Sequence, residues 1–241
     1  KCMVGLFEVD SGDMIFDGQD LTTMPQEQRK ELRQQIGMLF QGSALFDSMT
    51  VERNVKFPLD MFTKWSHAKK MARVNDVLDR VNLKDTNKKF PSEISGGMKK
   101  RVGIARAIVL QPKYLFCDEP NSGLDPQTSM VIDKLIHEIT KENGMTTVIN
   151  THDMNSVMEI GENILYLYLG KKEWEGNNKE IIFSKHDKLN EFIFASEFLR
   201  DAKDMRMLEA KGIIDNDRNM DEILRDGGAN LVIGDEDKKP E

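Results

Sequence analysis

Cysteine is almost missing from this sequence. Cys2 and Cys117 are the only two among 241 residues, too few for a disulfide framework and without metal-ligand spacing. Cys117 falls in the apolar run KYLFC, where a buried free thiol is expected rather than a reactive one. Long apolar runs are missing as well: none approaches the ~18 residues that a membrane-crossing helix needs. Positive charge is in deficit. Lysine and arginine number 34 against 41 acids, a net charge of −7. That argues against nucleic acid as a partner, because a basic surface supplies most of that affinity. What is present is 39% hydrophobic and 31% charged residues, enough for one large α/β domain or two small ones around a real core.

Strands and helices alternate along the chain. GDMIFDGQDL reads as a hairpin, with Met14 and Phe16 on one face and Asp17-Gly18 as the turn. PQEQRKELRQQ is a polar helix opened by Pro25, and IGMLFQ is a buried strand ending at Gln41. Met71, Val74, Leu78 and Val81 mark an amphipathic helix over 68–83. KYLFCDEP is a strand closed by two acids. Val131, Leu135 and Ile139, with Ile132 and Ile136 beside them, predict a helix that stops at Gly144. MTTVINTHD is a further strand and ILYLYLGKKEWEG a late hairpin. Leu189, Phe192, Ile193 and Leu199 predict a helix over 188–200. Such alternation implies a parallel sheet covered on both faces. The stretch 201–233 reads as a small helical extension, and GDEDKKPE has the composition of a disordered end.

Two places carry chemistry. The first is EISGGMKKRVGIARAIV, Glu93 to Val109. Met98, Val102, Ala105 and Val109 lie on one helical stripe, and Ser95, Gly96 and Gly97 stand at its mouth. A helix N-terminus presents unpaired N–H groups and partial positive charge. Two glycines let a ligand approach that backbone, and the Ser hydroxyl adds a donor, so the stretch suits an anion, most naturally phosphate. On this stretch alone, an ordinary Ser95 cap with loop glycines is an equally open reading. Lys99, Lys100, Arg101 and Arg106 are expected to be a solvated helix face.

The second is the set of polar residues at strand ends, where ligands bind in open α/β sheets. Asp118 and Glu119 end YLFC, Gln41 ends IGMLF, and His152 ends TTVINT. An apolar strand finishing in Asp-Glu suits nucleotide chemistry. The first acid holds Mg²⁺ through water, and the second orients or deprotonates an attacking water. A neighbouring Gln completes the metal and water shell, and a His senses a γ-phosphate. Each residue also has a plainer reading: a cap or surface ion pair for the acids, a loop residue for Gln41, a polar strand end for His152. All four failing together, in this order beside an anion-binding helix, is improbable.

In this order the motifs resemble the nucleotide-binding subunit of ATP-binding cassette (ABC) transporters. Ile94 to Gly97 is similar to the family signature, YLFCDEP to its Walker B strand, and Ser122 to Asp125 to its D-loop. Gln41 matches the Q-loop and His152 the switch histidine. The resemblance covers about the first 170 residues. It implies a P-loop NTPase-like α/β fold with a parallel-sheet core, a small antiparallel sheet and a helical signature subdomain over 43–108. The ATP-binding domain would span 1–200 and a C-terminal extension 201–241. ATP and Mg²⁺ are the implied cofactors, with Gln41 and Asp118 at the metal and Glu119 and His152 catalytic. Ser95, Gly96 and Gly97 would grip the γ-phosphate held by a second ATPase subunit, and Asp125 would cross the same interface. The run after Gln41, with Leu45, Phe46, Met49, Val51 and Phe57, either receives a coupling helix from an integral membrane permease or packs internally. The implied place is the cytoplasmic face of a bacterial inner membrane, with no nucleic acid bound. Met98 stands where the family usually has Gln and has no amide to donate. SGGM, together with FQGSALFDSMTVERNVKFPL, resembles the ATPase of Mla-type transporters, which move phospholipid with a lipid-binding partner.

One element of the family is not in these residues. A phosphate loop needs G-x-x-x-x-G-K-[ST]. The only Gly-Lys pair, Gly170-Lys171, lacks the earlier Gly and the following Ser or Thr. KCMVGLFEVDSGDMIFDGQDL is similar to the end of the helix after that loop, so an N-terminally truncated domain is expected. Two other readings remain: a non-catalytic interaction subunit, and a cytosolic ABC ATPase outside transport. The 241-residue polypeptide alone is expected to show negligible ATP hydrolysis in a phosphate-release assay. Turnover at an ordinary ATPase rate that Glu119→Gln abolishes would refute this.

Overall fold

The computed structural model describes residues 1–195, 200, 201, 203–205 and 207. They fall into two compact units, residues 1–161 and the described residues from 162 onward. In the first unit, β1 (Ile15–Phe16) and β2 (Gln19–Asp20) form the expected hairpin. Asp17 and Gly18 carry its turn at φ 47° and 78°, the left-handed pair that a two-residue hairpin needs. Helix α1 (Gln26–Gln34) follows Pro25. Strand β3 (Ile36–Leu39) ends before Phe40, two residues earlier than expected, so Gln41 belongs to the turn that follows.

Helix α2 (Val51–Phe62) was not legible in the sequence, and it carries Pro58 in its interior. Thr50 caps its start, accepting from the Arg53 N–H, and Asn54 in its first turn is fully buried. The Asn54 side chain accepts from the Phe46 N–H at 2.8 Å and donates to the carbonyls of Phe46, Met49 and Thr50 at 3.1 Å each. One amide thus satisfies the backbone of the 46–50 loop, which has no ladder to pair with. Helix α3 (His67–Arg80) stops three residues short of the expected range, and α4 (Gly96–Ile108) follows the signature stretch.

Strand β4 (Tyr114–Asp118), helix α5 (Pro126–Asn143), strand β5 (Thr146–Asn150) and helix α6 (Met154–Ile160) complete the first unit. The sheet is parallel in the order β3-β4-β5. Leu39, Leu115 and Cys117 face a core built with α2 to α5, which includes Val102, Ala105 and Val109 of the α4 stripe. Ile36 and Tyr114 pack on the other side against Leu21, Met24 and Leu32. Both faces are covered at β3 and β4, as expected, whereas Val148 of β5 is 37% exposed. On α5, Ile132, Leu135, Ile136 and Ile139 are buried, but Val131 is 49% exposed and lies off the core stripe. Cys117 is buried as a free thiol, and burial pushes its pKa up to about 12.

The second unit holds the late hairpin, β6 (Ile164–Tyr168) with β7 (Lys171–Gly176), paired antiparallel with an irregularity between Tyr166 and Leu167. Helix α7 (Asp187–Ile193) occupies the first half of the expected 188–200 helix. Leu199 and nearly all of the expected 201–241 extension lie outside the described residues. No helix among the described residues is long and apolar enough to cross a membrane.

Replacing Asn54 with Ala removes the partner of the Phe46 N–H and of the Met49 carbonyl, while the carbonyls of Phe46 and Thr50 keep the N–H groups of Met49 and Asn54. Loss of a buried hydrogen-bond partner costs about 1–3 kcal/mol, and a drop of this size in denaturant-derived stability is expected for Asn54→Ala. A change within about 0.5 kcal/mol, as at ordinary surface sites, would show that the loop does not depend on this side chain.

Candidate functional site

Strand β4 pairs in parallel with a neighbour on each side. In a parallel sheet all carboxyl ends share one edge, so the residues following β3, β4 and β5 emerge together. Asp118 lies opposite Asn150, whose Nδ2 donates to Asp118 Oδ1 at 2.8 Å. One residue on, the Glu119 N–H donates to the Asn150 carbonyl at 2.8 Å. Glu119 has φ 48°, a left-handed conformation that non-glycine residues rarely hold without local constraint. His152 Nδ1 lies 2.8 Å from Glu119 Oε1. The imidazole is 74% exposed while the carboxylate is 18% exposed, so a solvent-facing ring stands over a largely sheltered acid. Gln41 Nε2 reaches Ser122 Oγ at 3.4 Å, placing it beside the loop that leaves Glu119.

Ser95, Gly96, Gly97 and Asp125 form a second group. Ser95 caps α4, its Oγ accepting from the Met98 N–H at 3.3 Å. Asp125 caps α5 by accepting from the Thr128 hydroxyl at 2.6 Å and the Thr128 N–H at 2.9 Å. These bonds hold its carboxyl below the usual carboxylate range, the hydroxyl contributing most. The two helix starts lie against each other. A Cβ on Gly97 would sit 2.7 Å from Thr128 Cγ2, and one on Gly96 3.6 Å from Leu124 Cδ2. Glycine at 97 is therefore a packing requirement between α4 and α5. Ser95 and Gly96 remain exposed, and the hydrogen bonds of Ser95 and Asp125 stay at their own helix starts. Met98 turns its side chain onto the core.

Two of the four α4 cations, Lys100 and Arg106, are not on the solvated face that the sequence led us to expect. Lys100 is 4% exposed. Its ammonium donates to the Gln41 carbonyl and, at 3.1 Å, to the Glu119 carbonyl. Burial pulls its pKa below the ordinary lysine range, and the nearby Glu119 carboxylate acts in the opposite direction. Arg106 donates to the carbonyls of Ser43 at 2.5 Å and Ala44 at 2.7 Å, and burial lowers its pKa as well. Sequence reasoning also missed Asn150 and the buried trio Asn121, Asp133 and Ser156. Asn121 Nδ2 donates to both Asp133 oxygens at 2.9 Å. The Ser156 hydroxyl donates to Asp133 Oδ2 at 2.7 Å. Asn150 was discoverable as the last residue of an adjacent parallel strand; nothing in the pattern separates Lys100 from Lys99.

Asn150 engages Asp118 Oδ1, which leaves the other carboxylate oxygen, and Gln41 beside Ser122 offers an amide oxygen; these are the kinds of donor from which a metal site at this edge would be built. An all-oxygen, low-charge set suits Mg²⁺, which keeps several waters and takes further oxygens from phosphate. It does not suit a metal that needs an all-protein cage, and no cluster of three His, Cys, Asp or Glu fit for a metal exists among the described residues.

Comparisons with known proteins bear on the family and the fold. The family model described as ABC transporter matches residues 1–122. A methionine import ATP-binding protein of Corynebacterium efficiens is 38% identical over 201 residues, covering 83% of this chain and 55% of that protein. One from Carboxydothermus hydrogenoformans is 37% identical, covering 97% of this chain and 73% of that protein. The chain thus spans about half to three-quarters of the length of such relatives. Among solved structures, cbiO1 from Clostridium perfringens, part of the ABC transporter complex cbiONQ, superposes with a TM-score of 0.69 at 33% identity. That match covers 78% of this chain and 75% of cbiO1. A dimeric ATP-binding cassette bound to ADP and Pi gives 0.66 at 29% identity, covering 73% of this chain and 77% of that one.

The His152–Glu119 contact makes a titration prediction. The hydrogen bond to Glu119 raises the His152 pKa above the ordinary value of 6.5. The pair therefore favours the folded site fully below that ordinary value, and the contribution is lost as pH rises through the raised value. An NMR titration is expected to give a His152 pKa that falls when Glu119 is changed to Gln. An unchanged value would mean that the contact does not persist in solution.

Proposed function

The chain belongs to the ABC transporter family, and on that premise we propose that it is the part of a transporter ATPase that supplies the water-activating and γ-phosphate-sensing residues. One observation carries the reading: Glu119, set at the strand end by Asn150, with His152 2.8 Å from its carboxylate. In this reading Glu119 accepts a proton from the attacking water, and His152 bridges Glu119 to the γ-phosphate. Asp118 and Gln41 hold Mg²⁺, which would offset the charge of the phosphates. Ser95, Gly96 and Gly97 meet the nucleotide of a second subunit, with Asp125 at the same interface. The exposed helix mouth supports this, as does the dimeric state of a solved relative bound to ADP and Pi.

The partner is a second ATPase subunit together with a membrane permease docked through the region after Gln41. Support for the docking face is mixed. Val51 is fully buried, whereas Phe46 at 40% and Met61 at 60% are exposed. The Phe46 and Phe57 rings sit 5.0 Å apart, a small apolar surface on a loop that Asn54 holds in shape. This would place the subunit at the cytoplasmic face of the membrane.

Two cargo readings have support. Methionine import is supported by the names of the relatives at 37–38% identity. Phospholipid transport, with a lipid-binding partner, is supported only by the sequence resemblance at SGGM and at residues 40–59. Transport of radiolabelled methionine and of labelled phospholipid by the reconstituted full-length complex separates them.

In the full-length protein with its permease, Glu119→Gln is expected to lower kcat by at least ~100-fold with ATP binding retained, and His152→Ala to slow turnover by ~10- to 100-fold. Wild-type turnover in either variant would remove that residue from the chemistry. A wild-type complex that binds its permease and never hydrolyses ATP would favour the non-catalytic interaction subunit.

A further inference from the structure

We propose that Lys100 is a positioning residue for hydrolysis: a buried strut from the signature helix that fixes the main chain of Gln41 relative to that of Glu119. The inference rests on the ATPase reading above and adds to it a residue that touches neither nucleotide nor metal.

The argument starts from burial. Lys100 lies one turn into α4, flanked by buried Val102, Gly103 and Ile104, and is 4% exposed. A buried ammonium is tolerated only when its donors are used. Here they are used on two main-chain carbonyls, those of Gln41 and Glu119, and not on a surface carboxylate. A methionine or leucine would fill such a core position without that desolvation cost. What the lysine adds is a fixed link between two loops that leave different strands.

Both loops are in conformations that need a link. Glu119 sits at φ 48°, and the turn after Gln41 places Ser43 at 63° and Ala44 at 44°. Non-glycine residues hold such angles where their surroundings over-determine them. For the turn, the same face of α4 supplies the rest of the constraint. Arg106 holds the carbonyls of Ser43 and Ala44. Between the two cations, Gly103 lets the turn come close: a Cβ there would lie 2.7 Å from Leu39 Cδ1 and 3.4 Å from Ser43 Cβ. Lys100, Gly103 and Arg106, spaced three apart, thus form one track along which the Gln41 turn is laid.

The consequence is mechanical. Ser95, Gly96 and Gly97 open the helix that carries Lys100. Lys100 lies one turn from that mouth, so any shift of α4 on a contact there would be carried to the carbonyls of Gln41 and Glu119. The signature that meets one nucleotide is thereby tied to the residues that act on the other.

The test uses the full-length ATPase assembled with its permease. Lys100→Met keeps the stem and removes the donors. It is expected to lower kcat by ~10- to 100-fold, the scale of an ångström-sized misplacement. The KM for ATP and the ATP bound per chain should stay within about twofold of wild type, the signature of an interaction lost in the transition state. Lys100→Arg, which restores charge and donors, should recover at least about half of the lost logarithm of rate. A Lys100→Met enzyme within about twofold of wild-type kcat overturns the proposal, and so does a rate loss matched by an equal loss of bound ATP. Should Lys100→Met not fold, Lys100→Gln is judged by the same measures. If neither folds, Lys100 determines the fold rather than positions the site, and the proposal fails. Glu119→Gln in the same assay separates the two levels. If it hydrolyses ATP like wild type, the ATPase reading falls and takes this inference with it. If it is inactive while Lys100→Met is not, only the inference falls.

Discussion

Everything at the candidate site depends on one strand paired in parallel on both of its edges. Leu115 and Cys117 of β4 are at most 2% exposed, so the strand has no freedom to slide: a one-residue slip would turn its apolar side chains out of the core. That register puts Asp118 opposite Asn150 and lets the next N–H, that of Glu119, bond to the Asn150 carbonyl. The chain then leaves the sheet with its second acid already aimed, and His152, two residues beyond the neighbouring strand, meets it. The same boundary is visible in the titrating groups. The Cys117 thiol is pushed up to about 12 by burial, while two residues later a carboxylate contacts an exposed imidazole. Core and chemistry are separated by one residue, and backbone pairing keeps them so.

A second constraint is the close packing of two helix starts. With no Cβ at Gly97, α4 comes against Thr128 of α5, the residue that Asp125 caps. Neither Ser95 nor Asp125 has to be read as either a structural cap or a ligand-facing residue. Capping fixes each side chain at an exposed helix mouth, and that is the arrangement a partner subunit would need to meet a defined surface.

Much of this was legible in the chain alone, for physical reasons that also explain the misses. Apolar runs closed by Asp118-Glu119, Gln41 and His152 locate strand ends to within two residues, because burial selects the run and the edge of the sheet selects the polar stop. Asp17-Gly18 identifies its turn because few other pairs accept two left-handed residues. Helix α2 was hidden by Pro58, which reads as a breaker, and by the preceding 46–50 loop, which Asn54 holds through bonds that no periodicity announces. Val131 shares the spacing of its buried neighbours but falls at the edge of the stripe. Lys100 was the largest miss at the site. Lysine is usually a surface residue, and only the fold reveals that two carbonyls wait for its ammonium.

The loop from Glu119 to Asp125 shows why a buried acid is worth keeping beside such a site. Asp133 of α5 is 2% exposed. Burial pushes its pKa up, and the Ser156 hydroxyl and Asn121 amide pull it back down. Those two donors come from different places: Asn121 from the loop two residues after Glu119, Ser156 from the helix four residues after His152. One carboxylate therefore holds the chain downstream of the acid and the chain downstream of its imidazole against a single helix. With Lys100 bonding the Glu119 carbonyl from the opposite helix, the residues around the Glu119–His152 contact are fixed from α4 on one side and α5 on the other. An exposed histidine and a strained glutamate keep their 2.8 Å approach because the freedom was removed next to them rather than in them. The side chains to which the proposed function assigns chemistry are thus aimed by a backbone that is held from beside them, through the Glu119 carbonyl on one side and the Asp133 network on the other.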